Sequence, residues 1–391
     1  MRIALDARAL TGPYTGDRTY WRNLIRSLAE IDVGVEHEYL LYSRTPIPEK
    51  DVPRIHNFCA KVIDARNDRI WTLTALPRAL RRDRADLVHV QYTSPPRYLC
   101  PCPVVTTVHD ISFRLFPHWF PPRDRFLMNL TVPISMRSAS RVITDSESSR
   151  QDILRVYKLP QYKLVSIPLG LSNGFGLAQD RSRTEMHEDA RKTLKQRYGI
   201  DNPFILALGV LQPRKNLEML ASAYGKLKAE YGVTHKLVLV GKAGWITARE
   251  AIQKAAAQAG GNGVDTEILF PGYVPDEELP IWYRACAVFA HPSLYEGFGI
   301  PPLEAMSCGA PVLVSNAPAL PELVGNAAAI APATDASAWA EELYRIMADA
   351  ALANELSALG PIRAAEFSWS RTAKQTLDVY TTAADIRIAN K

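Results

Sequence analysis

Residues 287–314 alternate short apolar runs with a turn rich in glycine and proline, and this order restricts the fold more than any other stretch of the chain. One apolar run covers residues 287–290, and a second covers residues 311–314. The segment between them contains Gly297 and Gly299, then two adjacent prolines. Apolar runs of strand length on both sides of a helix-like segment predict strand, loop, helix and strand in an α/β domain.

The loop before this predicted helix has the composition of an anion-binding turn. Its glycines let the backbone come close to a ligand, and Pro301 and Pro302 suit a first helical turn, where a missing N–H group costs little. Residues 299–303 should therefore carry the free N–H groups of a helix start, aimed out of the carboxyl edge of a sheet. The helix dipole and these donors would both favour a negatively charged group such as a phosphate.

Two carboxylates bracket the same loop. Glu296 precedes it, and Glu304 lies eight positions later, in what we expect to be the first turn of the helix. Because a carboxylate accepts hydrogen bonds from two neighbouring hydroxyls, Glu304 suits a ribose diol and Glu296 suits the hydroxyls of a sugar. This order fits one extended ligand made of a sugar, a diphosphate and a nucleoside. The alternative is an ordinary strand–helix turn with an acidic helix start and a surface glutamate.

The run E-G-F-G-I-P-P-L-E-A-M, followed by G-A-P-V-L-V-S, resembles the donor-site signature of family 4 of the glycosyltransferases. The resemblance implies the GT-B fold, in which two Rossmann-like, doubly wound α/β domains face each other across a cleft. It also implies a nucleotide-diphosphate sugar as donor and retention of the anomeric configuration. The donor contacts that it implies within this stretch are Glu296, Gly297, Phe298, Gly299, Ile300 and Glu304.

The rest of the chain divides by the same alternation of strands and helices. Residues 1–175 form the first predicted domain, which would bind the acceptor, and residues 200–367 form the second, which would bind the donor. A polar linker with an exposed helix is expected between them. In the GT-B fold the C-terminal helix, here about residues 368–391, crosses back to pack on the first domain.

Two positions of the first domain match the family. Gly16 ends the first loop, which in the family approaches the donor diphosphate, and Asp17 would cap the helix that follows. His109 ends a predicted strand, where ligands of such sheets bind, and it resembles the histidine that contacts the donor sugar near the reaction centre. Its neighbour Asp110 is expected to orient it. The alternative for His109 is a helix-capping role.

Two cations follow the first strand of the second domain. Arg214 and Lys215 stand in the segment P-R-K-N, next to a predicted helix start, and suit the neutralisation of a diphosphate leaving group. Lys215 matches the family's phosphate lysine; the alternative for both residues is a solvated basic turn. The remaining predicted donor contacts are Gly209, Gly241 and Val274. Residues 241–244 and the turn at 272–274 lie at strand ends that flank the main loop, so we expect them to line the base pocket.

Charge is unevenly distributed along the chain. The first 200 residues hold 31 Lys and Arg against 21 Asp and Glu, whereas the whole chain has a formal charge of +5. A basic first half favours an anionic partner such as a membrane surface or a phosphorylated acceptor, and the equally weighted alternative is a solvated surface rich in arginine. No nucleic-acid motif accompanies the charge, so no nucleic-acid partner is expected. Residues 119–141 fit an amphipathic helix on a membrane or, as we favour, a helix packed on its own sheet.

No apolar run is long enough to cross a membrane, and no secretory leader opens the sequence. We therefore expect a cytoplasmic protein that contacts the inner membrane face peripherally at most. No Asp-x-Asp pair is present to hold a divalent metal, so we expect no metal and no other cofactor. Protein cations would then stabilise the leaving group.

These features predict a glycosyltransferase that moves a hexosyl group from a nucleotide-diphosphate sugar to a hydroxyl of a glycan, lipid-linked or small-molecule acceptor. The segment P-R-K-N favours a GDP-mannose-like donor, as in mannosyltransferases of bacterial polysaccharide synthesis, with a UDP-sugar as the alternative. The predicted catalytic residues are His109, Arg214, Lys215 and Glu296. Whether Glu296 acts as a nucleophile or the acceptor attacks from the same face stays open. Two further alternatives are a nucleotide-sugar epimerase and a non-catalytic nucleotide-sugar binding protein.

Overall fold

The computed structural model describes residues 1–12, 15–32, 34, 37–177, 182–241 and 246–389. The chain forms two compact units, one of Met1–Gly170 with Ser368–Lys391 and the other of Leu171–Phe367. Each unit contains one parallel β-sheet with helices in the connections between its strands. The predicted pair of Rossmann-like α/β domains is therefore confirmed.

The sheet of the first unit has seven strands, all of them parallel. They are β1 (Arg2–Asp6), β2 (Glu38–Ser43), β3 (Phe58–Val62), β4 (Leu87–Gln91), β5 (Val104–Thr107), β6 (Arg141–Thr144) and β7 (Leu164–Ser166). Their spatial order is β3-β2-β1-β4-β5-β6-β7, and Ile3 of β1 pairs with Tyr39 on one side and Leu87 on the other. The order reverses between β1 and β4, which is where ligands bind in such sheets.

The helices of the first unit connect these strands and bury apolar side chains against the sheet. They are α1 (Gly16–Ile31), α2 (Asp68–Ile70), α3 (Leu76–Arg82), α4 (Ser112–Leu115), α5 (Pro122–Ser138) and α6 (Glu147–Tyr157), with a π-helical turn at Trp71–Ala75 and 3₁₀ turns at Ala7–Thr11, Glu49–Asp51, Pro117–Trp119 and Gln161–Lys163. Trp71 and Met136 pack with Val88 and Val142 in one core. Residues that are buried on both faces of a parallel sheet read as continuous apolar runs, which made these strands predictable.

The sheet of the second unit has six parallel strands. They are β8 (Phe204–Leu208), β9 (Lys236–Val240), β10 (Ile268–Gly272), β11 (Val288–His291), β12 (Val312–Ser315) and β13 (Ala329–Ala331). Their order is β10-β9-β8-β11-β12-β13, so the reversal falls between β8 and β11. The two apolar runs at 287–290 and 311–314 are β11 and β12, which lie side by side with Ala290 paired to Leu313.

The helices of the second unit complete its core. They are α7 (Arg183–Tyr198), α8 (Leu217–Tyr231), α9 (Ile246–Gly260), α10 (Leu279–Ala285), α11 (Ile300–Ser307), α12 (Leu320–Val324), α13 (Ala336–Ala348) and α14 (Ala350–Ala364), with 3₁₀ turns at Pro213–Lys215 and Val264–Glu267. The exposed linker helix predicted between the domains is α7. It packs against α10 within the second unit and buries Met186, Ala190 and Leu194. These three residues form an apolar stripe that is not evident from the polar composition of the helix.

The last helix, α15 (Trp369–Ala389), belongs to the first unit, as the fold prediction required. Gly170 allows the close approach, because a Cβ at that position would lie 2.1 Å from the backbone nitrogen of Trp369. Tyr380 of α15 reaches the sheet, where its hydroxyl lies 2.6 Å from Nδ1 of the buried His89. Burial lowers the pKa of His89 to about 3, so this ring stays neutral. Within the described ranges, no helix is both long and apolar enough to span a bilayer.

Candidate active site

The carboxyl ends of β8 and β11 lie next to each other at the point where the strand order of the second unit reverses. The loop after β8 carries Arg214 and Lys215, and the loop after β11 carries Glu296 and the glycines. The N–H group of Leu294 donates to the carbonyl of Arg214 at 2.9 Å and so joins the two loops. Residues about 80 positions apart in sequence therefore meet at one edge of the sheet.

The helix start after β11 depends on Gly299. This residue is the N-cap of α11 and has φ of +114°, in the left-handed region that favours glycine. A Cβ there would also lie 2.9 Å from methyl groups of Leu320 and Leu323. Any other residue at this position would strain the backbone and move two core side chains, so the glycine fixes the direction in which α11 leaves the loop.

The prediction that residues 299–303 all offer free N–H groups was wrong for the last three. Pro301 and Pro302 have no N–H group, and the N–H of Leu303 donates to the carbonyl of Gly299 at 3.3 Å. Backbone donors for an anion must therefore come from the residues up to Ile300. The helix start can still favour negative charge through its dipole, but side-chain cations must supply more of the stabilisation.

Glu296 is buried and paired with both predicted phosphate cations. Its Oε2 lies 2.7 Å from Nη1 of Arg214, and its Oε1 lies 2.7 Å from Nζ of Lys215. Burial disfavours the carboxylate, but the charges of the two cations outweigh it and hold the pKa of Glu296 well below its usual range. One carboxylate between two cations leaves a net positive charge at the edge of the sheet, where a phosphate group can bind.

His291 completes this cluster, and the sequence analysis gave it no role. Its Nε2 lies 3.1 Å from Oε1 of Glu296 and 3.2 Å from the hydroxyl of Ser293. Burial and the charge of Lys215 lower the pKa of His291, so a neutral ring that donates to Glu296 fits the contacts. Its position as the last residue of β11, at the ligand edge of the sheet, was the signal that could have identified it.

Glu304 lies in a different environment from Glu296. It is the fifth residue of α11, so it begins the second turn and not the first turn that we predicted. Its Oε2 accepts a hydrogen bond from the hydroxyl of Tyr283 at 3.0 Å, and the side chain is buried. Burial raises the pKa of Glu304 to about 8, in spite of that hydrogen bond. At neutral pH the group is therefore mainly a carboxylic acid, which can both donate and accept.

Three glycines keep the neighbouring strand ends free of side chains. The N–H of Gly209 donates to the carbonyl of Val240 at 2.9 Å, and the N–H of Gly241 donates to Gly272 at the same distance. A Cβ on Gly241 would lie 2.0 Å from the carbonyl oxygen of Gly209, so no larger residue fits. Val274 is buried beside this edge. Residues 242–244 of the predicted base pocket lie outside the described residues.

Lys215 lies against Gly209, which explains the glycine at that position. A Cβ on Gly209 would lie 3.2 Å from Cε of Lys215, and φ of Gly209 is +148°. The backbone turn after Lys215 is held by Asn216, whose side-chain amide donates to the carbonyls of Pro292 and Ala333 at 3.1 and 2.6 Å. The two cations are thus positioned by the turn and by their shared carboxylate.

In the first unit, His109 follows β5 and is oriented by Asp145 rather than by its neighbour. Nδ1 of His109 lies 2.7 Å from Oδ2 of Asp145, whereas Asp110 accepts from the N–H of Ser112 at 2.8 Å. Burial disfavours the imidazolium, but the charge of Asp145 outweighs it and raises the pKa of His109 to about 9. Asp145 directly follows β6, the neighbour of β5, and this placement was a usable sequence signal.

The second ring nitrogen of His109, Nε2, lies beside polar side chains. Its Nε2 lies 2.8 Å from the side-chain amide of Gln91 and 3.6 Å from Oδ1 of Asp17. Asp17 is therefore not the cap of α1; the capping position belongs to Thr15, and Asp17 lies in the first turn. Gly16 is the first residue of that helix, and a Cβ there would meet none of the described atoms within 4 Å.

A cavity of about 830 Å³ opens beside this cluster, within the first unit. Its lining is Asp6, Arg8, Ala9, Thr11, Asp17, Arg44, Thr45, Asp64, Ala65, Asp68, Gln91, Tyr92 and Thr93. Both arginines already pair with carboxylates: Arg8 contacts Asp6 at 2.7 Å and Asp68 at 2.9 Å, and Arg44 contacts Asp68 at 3.4 Å. Four aspartates against two arginines make the cavity acidic, although the first half of the chain is basic.

A metal site is not found among the residues that the structure describes: no three His, Cys, Asp or Glu side chains lie close enough together to hold an ion. The expectation that no metal or other cofactor is needed stays a prediction. The predicted site residues are thus divided between the two units. Arg214, Lys215, Glu296 and Glu304 lie in the second unit, and His109 lies in the first.

Two family descriptions match the chain: Glycosyltransferase Family 4 over residues 14–172 and Glycosyl transferases group 1 over residues 190–361. O-antigen chain mannosyltransferase B of Escherichia coli is 34% identical over 277 residues, which cover 71% of this chain and 69% of that protein. The serotype-specific mannosyltransferase WbdA of Escherichia coli is 32% identical over 62% of this chain, but the match spans only 29% of that protein. Among solved structures, sucrose-phosphate synthase from Thermosynechococcus elongatus has a TM-score of 0.73 at 23% identity, over 97% of this chain and 98% of that one.

Proposed function

The chain belongs to family 4 of the glycosyltransferases, and we propose that it transfers a mannosyl group from a GDP-mannose-like donor to a hydroxyl of an uncharged glycan, with retention. The proposal for the sugar rests on the segment P-R-K-N and on the 34% identity to a protein named as a mannosyltransferase. A UDP-sugar is the alternative donor. The single observation that carries the donor site is the pairing of Glu296 with Arg214 and Lys215 beside the start of α11.

The donor diphosphate would bind where Glu296 now neutralises the two cations. The carboxylate contacts both Arg214 and Lys215, two like charges at one partly buried edge of the sheet. A diphosphate carries more negative charge than one carboxylate, so it would attract both cations. Glu296 would then keep one contact, to His291, and turn its other oxygen towards hydroxyls of the sugar.

The same cations would drive departure of the leaving group. As the bond between the sugar and the phosphate breaks, negative charge grows on the phosphate oxygens, and Arg214 and Lys215 are already positioned to stabilise it. Fixed charges of this kind contribute several kcal/mol, since removal of one such group in other enzymes typically slows the reaction by about 10²–10³-fold. The helix dipole at Ile300 adds to the effect.

Glu304 would bind the ribose without repelling the phosphate. A carboxylate beside a diphosphate would be unfavourable, but the raised pKa of about 8 keeps this side chain mainly neutral. A carboxylic acid can accept from one ribose hydroxyl and donate to the other. Tyr283, whose hydroxyl lies 3.0 Å away, fixes the orientation of the group.

Retention by same-face attack is the mechanism that the contacts of Glu296 support better. A nucleophilic carboxylate needs a free oxygen directed at the anomeric carbon. In the donor complex proposed above, one oxygen of Glu296 contacts His291 and the other binds hydroxyls of the sugar, so neither is directed at the anomeric carbon. In the proposed mechanism the departing phosphate accepts the proton of the acceptor hydroxyl, and Glu296 holds the sugar.

The acidic cavity of the first unit supports an uncharged acceptor. Asp17 and Asp64 would accept hydrogen bonds from sugar hydroxyls, while the paired Arg8 and Arg44 offer little to a phosphate. With Asp6 and Asp68 paired to the two arginines, the lining keeps an excess of two carboxylates, Asp17 and Asp64, which would disfavour a phosphorylated acceptor. His109 contacts two residues of this lining, Gln91 and Asp17. Its proposed role is the one that the family resemblance implies, a contact to the donor sugar.

The test is a transfer assay with the purified protein. GDP-mannose, GDP-glucose and UDP-glucose are each offered with a mannose-terminated oligosaccharide and with its phosphorylated counterpart. We expect transfer from GDP-mannose to the uncharged acceptor, with an axial linkage in the product by NMR. Faster transfer from UDP-glucose would refute the proposal that the donor is GDP-mannose-like. A preference for the phosphorylated acceptor would refute the proposal that the acidic cavity binds an uncharged acceptor. Epimerised donor, or binding without turnover, would refute the proposal as a whole.

A further inference from the structure

Helix α5 of the first unit carries apolar side chains on two opposite faces. Val132, Pro133 and Met136 are buried against the sheet, as we predicted for a helix that packs on its own domain. On the other side Phe126, Leu130 and Ile134 are 68%, 52% and 51% exposed. A helix at the surface of a domain needs only one apolar face to fold, so the second face requires a different explanation.

The exposed residues form one continuous stripe along the helix. They follow each other at four-residue spacing, which places them on one side of the helix. Arg123 and Arg137 continue the same stripe at its two ends and are also exposed. An apolar centre bracketed by arginines is a pattern that binds at the boundary between hydrocarbon and water, because the long side chains reach outward to the polar phase.

Further cations surround the C-terminal end of this helix. Lys163 donates a hydrogen bond to the carbonyl of Arg137, so the two lie side by side. Burial and the charges of Arg97 and Arg141 lower the pKa of Lys163, and the guanidinium of Arg141 lies over the ring of Tyr162, its neighbour in sequence. Among the described residues, no carboxylate forms an ion pair with any of these four cations. Like charges gathered without counter-charge favour an anionic partner.

Two exposed tyrosines are sequence neighbours of cations in this cluster. Tyr98 is 83% exposed and follows Arg97, and Tyr162 is 72% exposed and precedes Lys163. The guanidinium of Arg141 lies over the Tyr162 ring, 5.9 Å from its centre. Tyrosines with an apolar ring and a polar tip are enriched at the level of lipid headgroups.

We propose that this face, made of the α5 stripe, the two tyrosines and the four cations around Lys163, docks on a lipid bilayer that carries anionic headgroups. Exposed apolar residues bracketed by arginines, with tyrosines beside cations, are the side chains that bind a bilayer with anionic headgroups. The expectation of membrane contact through the basic first half thereby narrows to one defined face. The docking involves no residue of the donor site and does not depend on the identity of the donor.

The test measures binding of the full chain to vesicles by co-sedimentation. We expect binding to phosphatidylethanolamine vesicles with about one third phosphatidylglycerol, and little binding to pure phosphatidylcholine. Replacing Phe126, Leu130 and Ile134 together by Ser should weaken the binding by roughly tenfold or more, because their apolar area no longer leaves water. Arg137→Gln should weaken it about fivefold, as expected for the loss of one cation near an anionic surface.

Matched variants in the second unit control for nonspecific effects. Ile362→Ser removes an apolar side chain that is 67% exposed, and Lys254→Gln removes an exposed lysine; neither should change vesicle binding. Circular dichroism and thermal unfolding establish that the triple variant is folded. Equal binding of wild type and folded triple variant, or no binding by wild type, would overturn the proposal. So would a dimer in light scattering that the triple variant converts to monomer, since a second copy would then cover this face.

Discussion

Glu304→Gln should stabilise the protein by an amount that grows with pH. The buried carboxyl of Glu304 has a pKa raised to about 8 from an ordinary value of 4.5. Glutamine has nearly the same shape and can still accept the hydrogen bond from Tyr283. The substitution therefore removes the titration of one buried group and leaves the packing of α11 almost unchanged.

The sign and size follow from proton binding in the two states. Between about pH 4.5 and pH 8 the folded protein holds a proton on Glu304 that the unfolded chain has released, so the stability of the wild type falls as pH rises. The slope is about 1.4 kcal/mol per pH unit, which integrates to a penalty of about 1 kcal/mol at pH 5 and about 3 kcal/mol at pH 7. Above about pH 8 both states are ionised, and the penalty levels off near 5 kcal/mol.

The assay is urea unfolding of wild type and variant at pH 5, 7 and 9, followed by tryptophan fluorescence. Trp282 and Trp339 are buried in the second unit and report its unfolding. Glu341→Gln, which removes an exposed glutamate of α13, is the control and should change stability little at any of these pH values. A difference between Glu304→Gln and wild type that is the same at pH 5 and pH 9 would refute the reasoning.

Three other outcomes are expected. Arg214→Ala should raise the calorimetric Kd for GDP by about tenfold or more, since a charged hydrogen bond to phosphate contributes roughly 1.5–3 kcal/mol, whereas the exposed Lys254→Ala should leave the Kd unchanged. Gly241→Ala should lower the thermal unfolding midpoint by many degrees, because its Cβ would lie 2.0 Å from a backbone oxygen; an unchanged midpoint would contradict the packing. Asp145→Asn should bring the pKa of His109 from about 9 towards its ordinary value in an NMR titration, and a ring that still titrates near pH 9 would exclude Asp145 as the cause.

Much of the fold could be predicted because short patterns of apolar and turn residues specify most of its strands and helices. The strands of both sheets are short apolar runs between turn residues, and their alternation with helices implies parallel sheets. The prediction missed the edge strands β3 and β13, which have a neighbouring strand on one side only and are incompletely buried. It also assigned α7 to a linker, because a helix with three buried residues among many charges looks like an exposed one.

The candidate site could be predicted in part. Arg214, Lys215 and Glu296 were selected from two separate motifs, and the structure places the carboxylate of Glu296 2.7 Å from the charged group of each cation. The partners of these residues were harder to infer: His291 and Asp145 lie at strand ends, yet nothing local marks them as part of a cluster. Donor and acceptor assignments remain predictions that the proposed assays test.

The order of residues along the chain was enough to define the strand–loop–helix units, the glycine that starts α11 and the types of side chain at the edge of each sheet. These features depend on backbone preferences within a few neighbouring residues. Only the tertiary structure determines which of the site's ionisable side chains are charged. Glu296 is an ion-paired carboxylate, Glu304 is a neutral acid and His109 is protonated by virtue of Asp145, because pKa values follow from burial and from charges that lie far apart in sequence.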